Sequence, residues 1–255
     1  MSKMSALHRF LADSNYSAPV DIKKLKFIYS ALEAAAVSRG KGIGDLRILE
    51  VACGDGGITF PVASLGCAIR TFDIDRNAVE SVRDRIAREA VDNIEVSVDD
   101  GKSFDDGKIY DVVIASEVFE HVTDPSRLAA NIIRRMLKGS YLVVTTPNGY
   151  GPWEMKNRLS RDYLSRWNAL RRFLGKPPFV KKDGPYHCQF YTRKALLRLM
   201  TSFSLELRDF GKSDSLIVAL PYARKSRFLG RMDVKLADIL PHWCASGWYF
   251  VFELI

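Results

Sequence analysis

The sequence predicts a doubly wound α/β fold, and three observations predict it. Residues 47–73 read as strand, glycine turn, helix and strand. The apolar run Ile48, Leu49, Val51 and Ala52 is broken only by Glu50, and Gly54, Gly56 and Gly57 follow it. A helix-compatible segment from Ile58 to Leu65 then leads to a second apolar run, Ala68 to Phe72, closed by Asp73. Near-continuous apolar runs are the pattern of parallel strands buried on both faces, and glycines between strand and helix let a ligand meet backbone without a β-carbon in the way. Second, short apolar runs keep alternating with amphipathic helical stretches as far as residue 145, which is the signature of βαβ units. Third, 255 residues suit one α/β domain with insertions.

Composition narrows the class. The four cysteines, Cys53, Cys67, Cys188 and Cys244, are far apart with no CxxC pair, which argues against a disulfide framework or a zinc ribbon and for a reducing compartment. No apolar run is long enough for a membrane span, and the first residues lack the apolar core of a signal peptide, so a cytoplasmic location is expected. The formal charge of +8 points to a partner that is at least partly anionic.

The elements follow in order. Residues 1–20 are polar and mixed, and Ala18-Pro19 suggests an extended arm. From Asp21, read as an N-cap, apolar residues recur at helical spacing until Gly40 and Gly42 end the helix. After Asp73 the spacing predicts a helix over 77–90, a strand over 94–98 ending in Asp99-Asp100-Gly101, and a strand over 110–115. A helix over 126–137 and a strand over 141–145 come next. Between Gly151 and Lys182 there are nine basic residues against Glu154 and Asp162 alone, interleaved with Trp153, Tyr163, Trp167, Phe173 and Phe179. That insertion is either a lid for an anionic substrate or a solvated helical pair with aromatic core. Further on, the pattern predicts a turn over 183–185, a helix over 193–200 capped by Thr192, a strand over 205–210, a strand-like run over 215–220, a helix over 234–240 and a closing strand over 248–255. A single domain over 1–255 is expected: arm and helix over 1–44, a cofactor-binding core over 45–148, the insertion over 149–186 and the rest of the sheet over 187–255.

The chemistry concentrates in two stretches. A dinucleotide enzyme would have a third glycine three positions after Gly56, where Thr59 stands, and the acid within the strand, Glu50, suits a cofactor bearing an ammonium group. The second stretch is Ser116-Glu117-Val118-Phe119-Glu120-His121-Val122-Thr123-Asp124-Pro125. As one helical turn it brings Glu117, Glu120 and His121 to one side, and two carboxylates beside an imidazole repel one another unless a cation sits among them.

Glu50-Val51-Ala52-Cys53-Gly54-Asp55-Gly56 resembles the first motif of class I S-adenosylmethionine-dependent methyltransferases, with Ala52 where that family commonly has glycine. The resemblance covers about residues 45 to 220. It implies a Rossmann-like, mostly parallel seven-stranded sheet with helices on both faces and a basic helical insertion after the fifth strand. It further implies cofactor contacts from Glu50, Ala52, Gly54, Gly56, Asp73, Ile74, Asp100, Gly101 and Ser116. Asp73 would accept from the ribose hydroxyls, and Asp100, or Asp99 one residue earlier, would lie by the adenine amino group.

The S-E-V-F-E-H segment is similar to that of the ubiquinone-biosynthesis O-methyltransferases and the small-RNA 2′-O-methyltransferases. It implies a divalent metal (Mg, Mn or Zn) on Glu117, Glu120 and His121, joined by His187 from H-C-Q-F-Y-T, with His121, Glu117 and Glu120 as the catalytic groups. Without metal, His121 would act as a general base oriented by one of the acids. The expected function is O-methylation of a small, anionic, hydroxylated acceptor such as a sugar, a glycolipid precursor or a catechol-like acid. An RNA 2′-O-methyltransferase and a cofactor-binding pseudoenzyme or scaffold are the alternatives; residue patterns leave the acceptor and the oligomeric state open.

Overall fold

The computed structural model describes residues 3–13, 17–173, 177, 187–215 and 226–255. Seven strands form one sheet: β1 Arg47–Val51, β2 Ala68–Asp73, β3 Ile94–Val98, β4 Tyr110–Ser116, β5 Met136–Pro147, β6 Leu205–Lys212 and β7 Gly247–Leu254. Their order is β3-β2-β1-β4-β5-β7-β6, parallel from β3 to β5, with β7 antiparallel to both β5 and β6. The order reverses between β1 and β4, so their carboxyl ends open a crevice where ligands bind in such sheets.

Residue alternation builds a core on each face. Ile48, Ile69, Val112, Ile114, Val143 and Val251 point to one side, where α1 (Lys3–Ala12) and α2 (Pro19–Ser38) supply Phe10, Leu25, Ile28 and Leu32. Leu49, Val51, Val113, Ala115, Leu142, Val144, Phe250 and Phe252 point to the other, against Leu128 and Ile132 of α5 (Pro125–Ile133) and Leu196 and Met200 of α7 (Arg193–Thr201). Each such side chain taken fully out of water contributes about 1.5–3 kcal/mol. Of the remaining helices, α3 (Thr59–Ala63) follows the glycine turn, α4 (Arg76–Glu89) covers β2 and β3, and α8 (Arg227–Ile239) lies against α2 and β6.

Several expectations are corrected. Residues 3–12 form a helix, not part of an extended arm, because Phe10 packs against Tyr29 with ring centroids 5.4 Å apart. The next helix starts at Pro19 with Ala18 as its extended N-cap, since a proline at the first position brings its φ ready-made; Asp21 lies within the first turn. The helix expected to reach Leu137 ends at Ile133, and β5 begins at Met136, because the Tyr110 N–H donates to the Arg135 carbonyl at 2.9 Å and draws the chain into the sheet. The last helix begins earlier than expected, at Arg227, capped by Ser226. The insertion is helical as α6 (Pro152–Phe173). The turn over 183–185, the run over 216–220 and Phe179 lie outside the described residues.

Candidate functional site

The first motif turns where the sequence demands it. Beyond β1, Ala52 has φ +60, Gly54 +51 and Gly56 +78. A non-glycine residue in the left-handed region costs about 1–2 kcal/mol, so Ala52 carries strain that glycine would not. The carboxylate of Asp73 fixes the turn: one oxygen accepts from the Gly54 N–H at 2.9 Å and the other from the Asp75 N–H at 2.9 Å.

Around this turn lies a cavity of about 710 Å³ at the carboxyl ends of the parallel strands. Its walls include eight of the nine residues expected to touch a cofactor: Glu50, Ala52, Gly54, Asp73, Ile74, Asp100, Gly101 and Ser116. Gly56 is absent from that wall. A β-carbon there would come within 2.7 Å of the Phe60 ring, so this glycine lets α3 pack. Gly101 is similarly tight, its would-be β-carbon 2.9 Å from Leu128. Asp99 and Asp100 both line the cavity; Asp99 accepts from Ser97 Oγ, and Asp100 accepts from the Lys102 N–H at 2.9 Å.

Glu50 is 3% exposed and accepts from Thr59 Oγ1 at 2.5 Å. Burial pushes its carboxyl up to about 8, opposed by the hydrogen bonds from Thr59 and Thr71 and helped by Asp55 and Asp73. A cation placed beside it would restore the carboxylate.

The second stretch is not one helical turn. A 3-10 turn covers Phe119–His121, and Glu117 stands before it with φ +57, so the i, i+3, i+4 geometry expected for the three residues does not exist. Two consecutive threonines of β5, pointing to opposite faces, hold the acids instead. Thr145 Oγ1 donates to Glu117 Oε1 at 2.8 Å, and Thr146 Oγ1 donates to Glu120 Oε2 at 3.2 Å.

His187 arrives as expected from far along the chain. The N–H groups of Cys188 and Gln189 donate to the Glu120 carbonyl at 2.7 and 3.0 Å and strap this segment onto the turn. The His121 and His187 rings meet edge to face with centroids 4.9 Å apart. Glu120, His121 and His187 each offer a ligand atom within 4.8 Å of the others. Glu117 is not in that group but lies close to Glu120, whose carboxyl is raised well above the usual range by burial and then by Glu117.

Glu120 is 1% exposed, and its Oε1 is buried without a hydrogen-bond partner among the described residues. A buried oxygen with no donor, beside a second acid and two imidazoles, fits a divalent cation, because the cation would satisfy the oxygen and cancel the repulsion. Mixed nitrogen and oxygen donors suit zinc or a transition ion better than magnesium.

A second cavity, of about 260 Å³, adjoins the first. Glu117 and Lys24 line both. Its other polar walls are Asp21 from α2, His187, the buried Ser213, Asp214 and Ser246 at the ends of β6 and β7, and Tyr249, with Val20 and Pro147 as apolar neighbours. Burial holds the Asp214 carboxyl above its usual range, against the hydrogen bond from Ser213.

Sequence reasoning missed the threonine pair, Lys24 and Asp214. It also missed Glu154, which it saw only as a rare acid in a basic segment; this carboxylate is 2% exposed and stands 2.9 Å from His187 Nδ1. Of the insertion's aromatics, Trp167 is 43% and Phe173 88% exposed, so neither belongs to a core.

Comparison with known proteins agrees with this architecture. The family model described as a methyltransferase domain matches residues 4–209. A ubiquinone biosynthesis O-methyltransferase of Rickettsia conorii is 26% identical over 178 residues, 70% of this chain and 57% of that protein, so the matched part spans less than two thirds of the relative's length. Among solved structures, the N-methyltransferase NodS of Bradyrhizobium japonicum, in complex with S-adenosyl-L-homocysteine, superposes with a TM-score of 0.53 at 14% identity over 98% of this chain and 97% of that one. Magnesium protoporphyrin IX methyltransferase from Synechocystis, also with that product bound, gives 0.55 at 12% identity over 99% and 94%. These two likenesses concern the fold. With the family model covering most of its length, and β1, its glycine turn and Asp73 building the cavity, the chain belongs to the methyltransferase-domain family of class I S-adenosylmethionine-dependent enzymes.

Proposed function

We propose that this protein transfers a methyl group from S-adenosylmethionine to a hydroxyl of a small acceptor, with a divalent cation held by Glu120, His121 and His187 and completed by Glu117. The single observation that carries the reading is the buried Glu120 Oε1, with no hydrogen-bond partner among the described residues, within reach of two imidazoles, of which His121 lines the larger cavity and His187 the smaller. The name of the Rickettsia relative supports oxygen as the methylated atom.

Each residue has a task. Glu50 and Asp73 hold the donor from the larger cavity: the first faces its ammonium group, the second accepts from its ribose hydroxyls. Ala52 and Gly54 keep the backbone low beneath it. When bound, a divalent cation supplies Lewis acidity that makes a neutral hydroxyl a competent nucleophile near pH 7. The carboxylates of Glu117 and Glu120, held by Thr145 and Thr146, would set the charge that retains it, and His121, at the wall of the larger cavity, would give it one ring nitrogen, so that the hydroxyl proton leaves to water; only without the cation would His121 receive that proton.

The acceptor's reacting end sits in the smaller cavity, which falls below the ~300–1,000 Å³ usual for drug-sized ligands and so takes one ring or a short chain. Asp21, Asp214 and Glu117 outnumber Lys24 there, which favours a hydroxyl-bearing, uncharged end over a carboxylate. Any anionic part of the acceptor then lies outside this cavity, and the basic α6, whose Glu154 meets His187 of the cavity wall, is the element proposed to face it. RNA is the second reading, on the strength of the basic α6; the acidic cavity weighs against a phosphate close to the reacting atom.

The test is methyl transfer from labelled donor to parallel panels of neutral polyols, sugar acids, catechols and total RNA, before and after chelation. Chelator-sensitive labelling of an oxygen is expected. Activity that survives both chelation and Glu120→Ala but is lost in His121→Ala replaces the cation with a lone general base. Labelling of RNA alone replaces the small acceptor.

A further inference from the structure

The insertion carries one acid that neither charge nor packing explains. Glu154 lies in the first turn of α6, a helix whose charged residues are otherwise overwhelmingly basic, and yet it is 2% exposed. Burying a carboxylate costs free energy unless something compensates it. Its Oε1 stands 2.9 Å from His187 Nδ1, but it has no aligned hydrogen-bond donor among the described residues. The pair is close but not closed, and the same imidazole has a ring nitrogen within 4.8 Å of ligand atoms of Glu120 and His121.

We infer that Glu154 is the positioning residue of His187, tying the insertion helix to the cation site. Once the Nδ1–H turns onto Glu154, Nε2 is the nitrogen left for a ligand, and the acid sets the tautomer and the ring plane. Imidazole ligands characteristically give their second N–H to a carboxylate in this way, and loss of that partner typically weakens metal affinity about 10–100-fold. The start of α6 is itself pinned, because the Gly151 N–H donates to the Asn148 carbonyl at 2.8 Å and Asn148 Nδ2 donates to the Trp243 and Ala245 carbonyls at 3.1 and 2.9 Å. Glu154 is therefore aimed from a rigid platform continuous with β5 and the loop before β7. The first turn of a helix also favours a negative side chain, which helps keep the acid where it is.

The inference rests on the metal reading above, and the experiment separates the two. Cobalt(II) is titrated into the wild-type protein and into Glu154→Gln, Glu154→Ala and His187→Ala, with the visible absorption of the bound ion read alongside its affinity and S-adenosylhomocysteine affinity measured by calorimetry as a control. Wild-type binding is expected, with a fall of about 10–100-fold and an altered band in Glu154→Gln, whose amide keeps the size of the acid but not its charge. Cofactor affinity should stay within twofold. If Glu154→Ala fails to fold, the glutamine variant carries the comparison. Equal cobalt affinity and an unchanged band in a folded Glu154→Gln overturn the positioning role and leave Glu154 as an anchor for α6. No cobalt binding by the wild-type protein overturns the metal reading, and this inference with it.

Discussion

The two cavities are built by opposite strategies. The donor cavity draws nearly all its key residues from one continuous run, β1 to β2, and from the ends of the next two strands, and hydrogen bonds along that run set its shape. The smaller cavity, proposed for the acceptor, and the candidate cation cluster beside it take side chains from α2, the turn after β4, the end of β5, α6, the strap after it and the ends of β6 and β7. A site made from one supersecondary unit is as stable as that unit. A site gathered from seven places depends on every one of them, so it is the easier of the two to lose and to change.

That difference sets the order of expected effects. The largest comes from Glu120→Ala, which removes a proposed cation ligand and the acceptor of Thr146: methyl transfer should fall by about 100-fold or more. S-adenosylhomocysteine affinity, measured by calorimetry, should stay within twofold, since Glu120 does not line the donor cavity. A matching loss of cofactor affinity would show that the halves are one unit.

Asp73→Ala is the converse. Removing charge-assisted hydrogen bonds worth about 1.5–3 kcal/mol should weaken cofactor binding by about 10–100-fold while leaving cobalt affinity intact. Unchanged cofactor affinity would mean that the ribose is held elsewhere.

A smaller effect concerns pH. The carboxyl of Glu50 is raised from 4.5 to about 8, so between those values the folded, cofactor-free protein keeps a proton that the unfolded chain has given up. Its contribution to stability is therefore present at low pH and falls as pH rises through that window. Binding an ammonium beside it reverses the preference and expels the proton. Cofactor affinity should accordingly rise from pH 6 to 8, with proton release visible as a buffer-dependent binding heat. Glu50→Gln should flatten both trends; if it does not, the titrating group is another one.

The smallest expected effect is that of salt. Exposed charges such as Lys156 and Arg172 act through water, so acceptor affinity should weaken about two- to fivefold between low and physiological salt as screening sets in, with cofactor affinity flat. Equal sensitivity of the two would remove α6 from acceptor binding.

What could be read from the chain follows the same division. The individual strands, the glycine turn and the acids at the strand ends were legible because each depends on neighbours within about thirty residues, where periodicity and turn chemistry act directly. Gly56 is instructive: the tight turn expected of it is there, with φ +78, and the close approach of the Phe60 ring is a second need for glycine that no local pattern shows. The Glu117–His121 turn was misread for a related cause. Its shape is set by Thr145, whose carbonyl accepts from the Glu117 N–H at 2.9 Å and whose hydroxyl holds the Glu117 carboxylate, and no helical spacing encodes a strand 28 residues away.

By itself, then, the sequence determined the fold class, most of the residues that wall the larger cavity and the side chains we propose for the cation, because local pattern and residue chemistry suffice for these. Tertiary structure alone decided that His187 meets His121, that Glu154 is buried behind it, and that the cavity beside them is acidic although the chain is basic. The physical reason is distance along the chain. Which far-separated residues share a volume follows from the order of strands in the sheet, here from β7 inserting between β5 and β6, and that order is the outcome of packing the whole core at once.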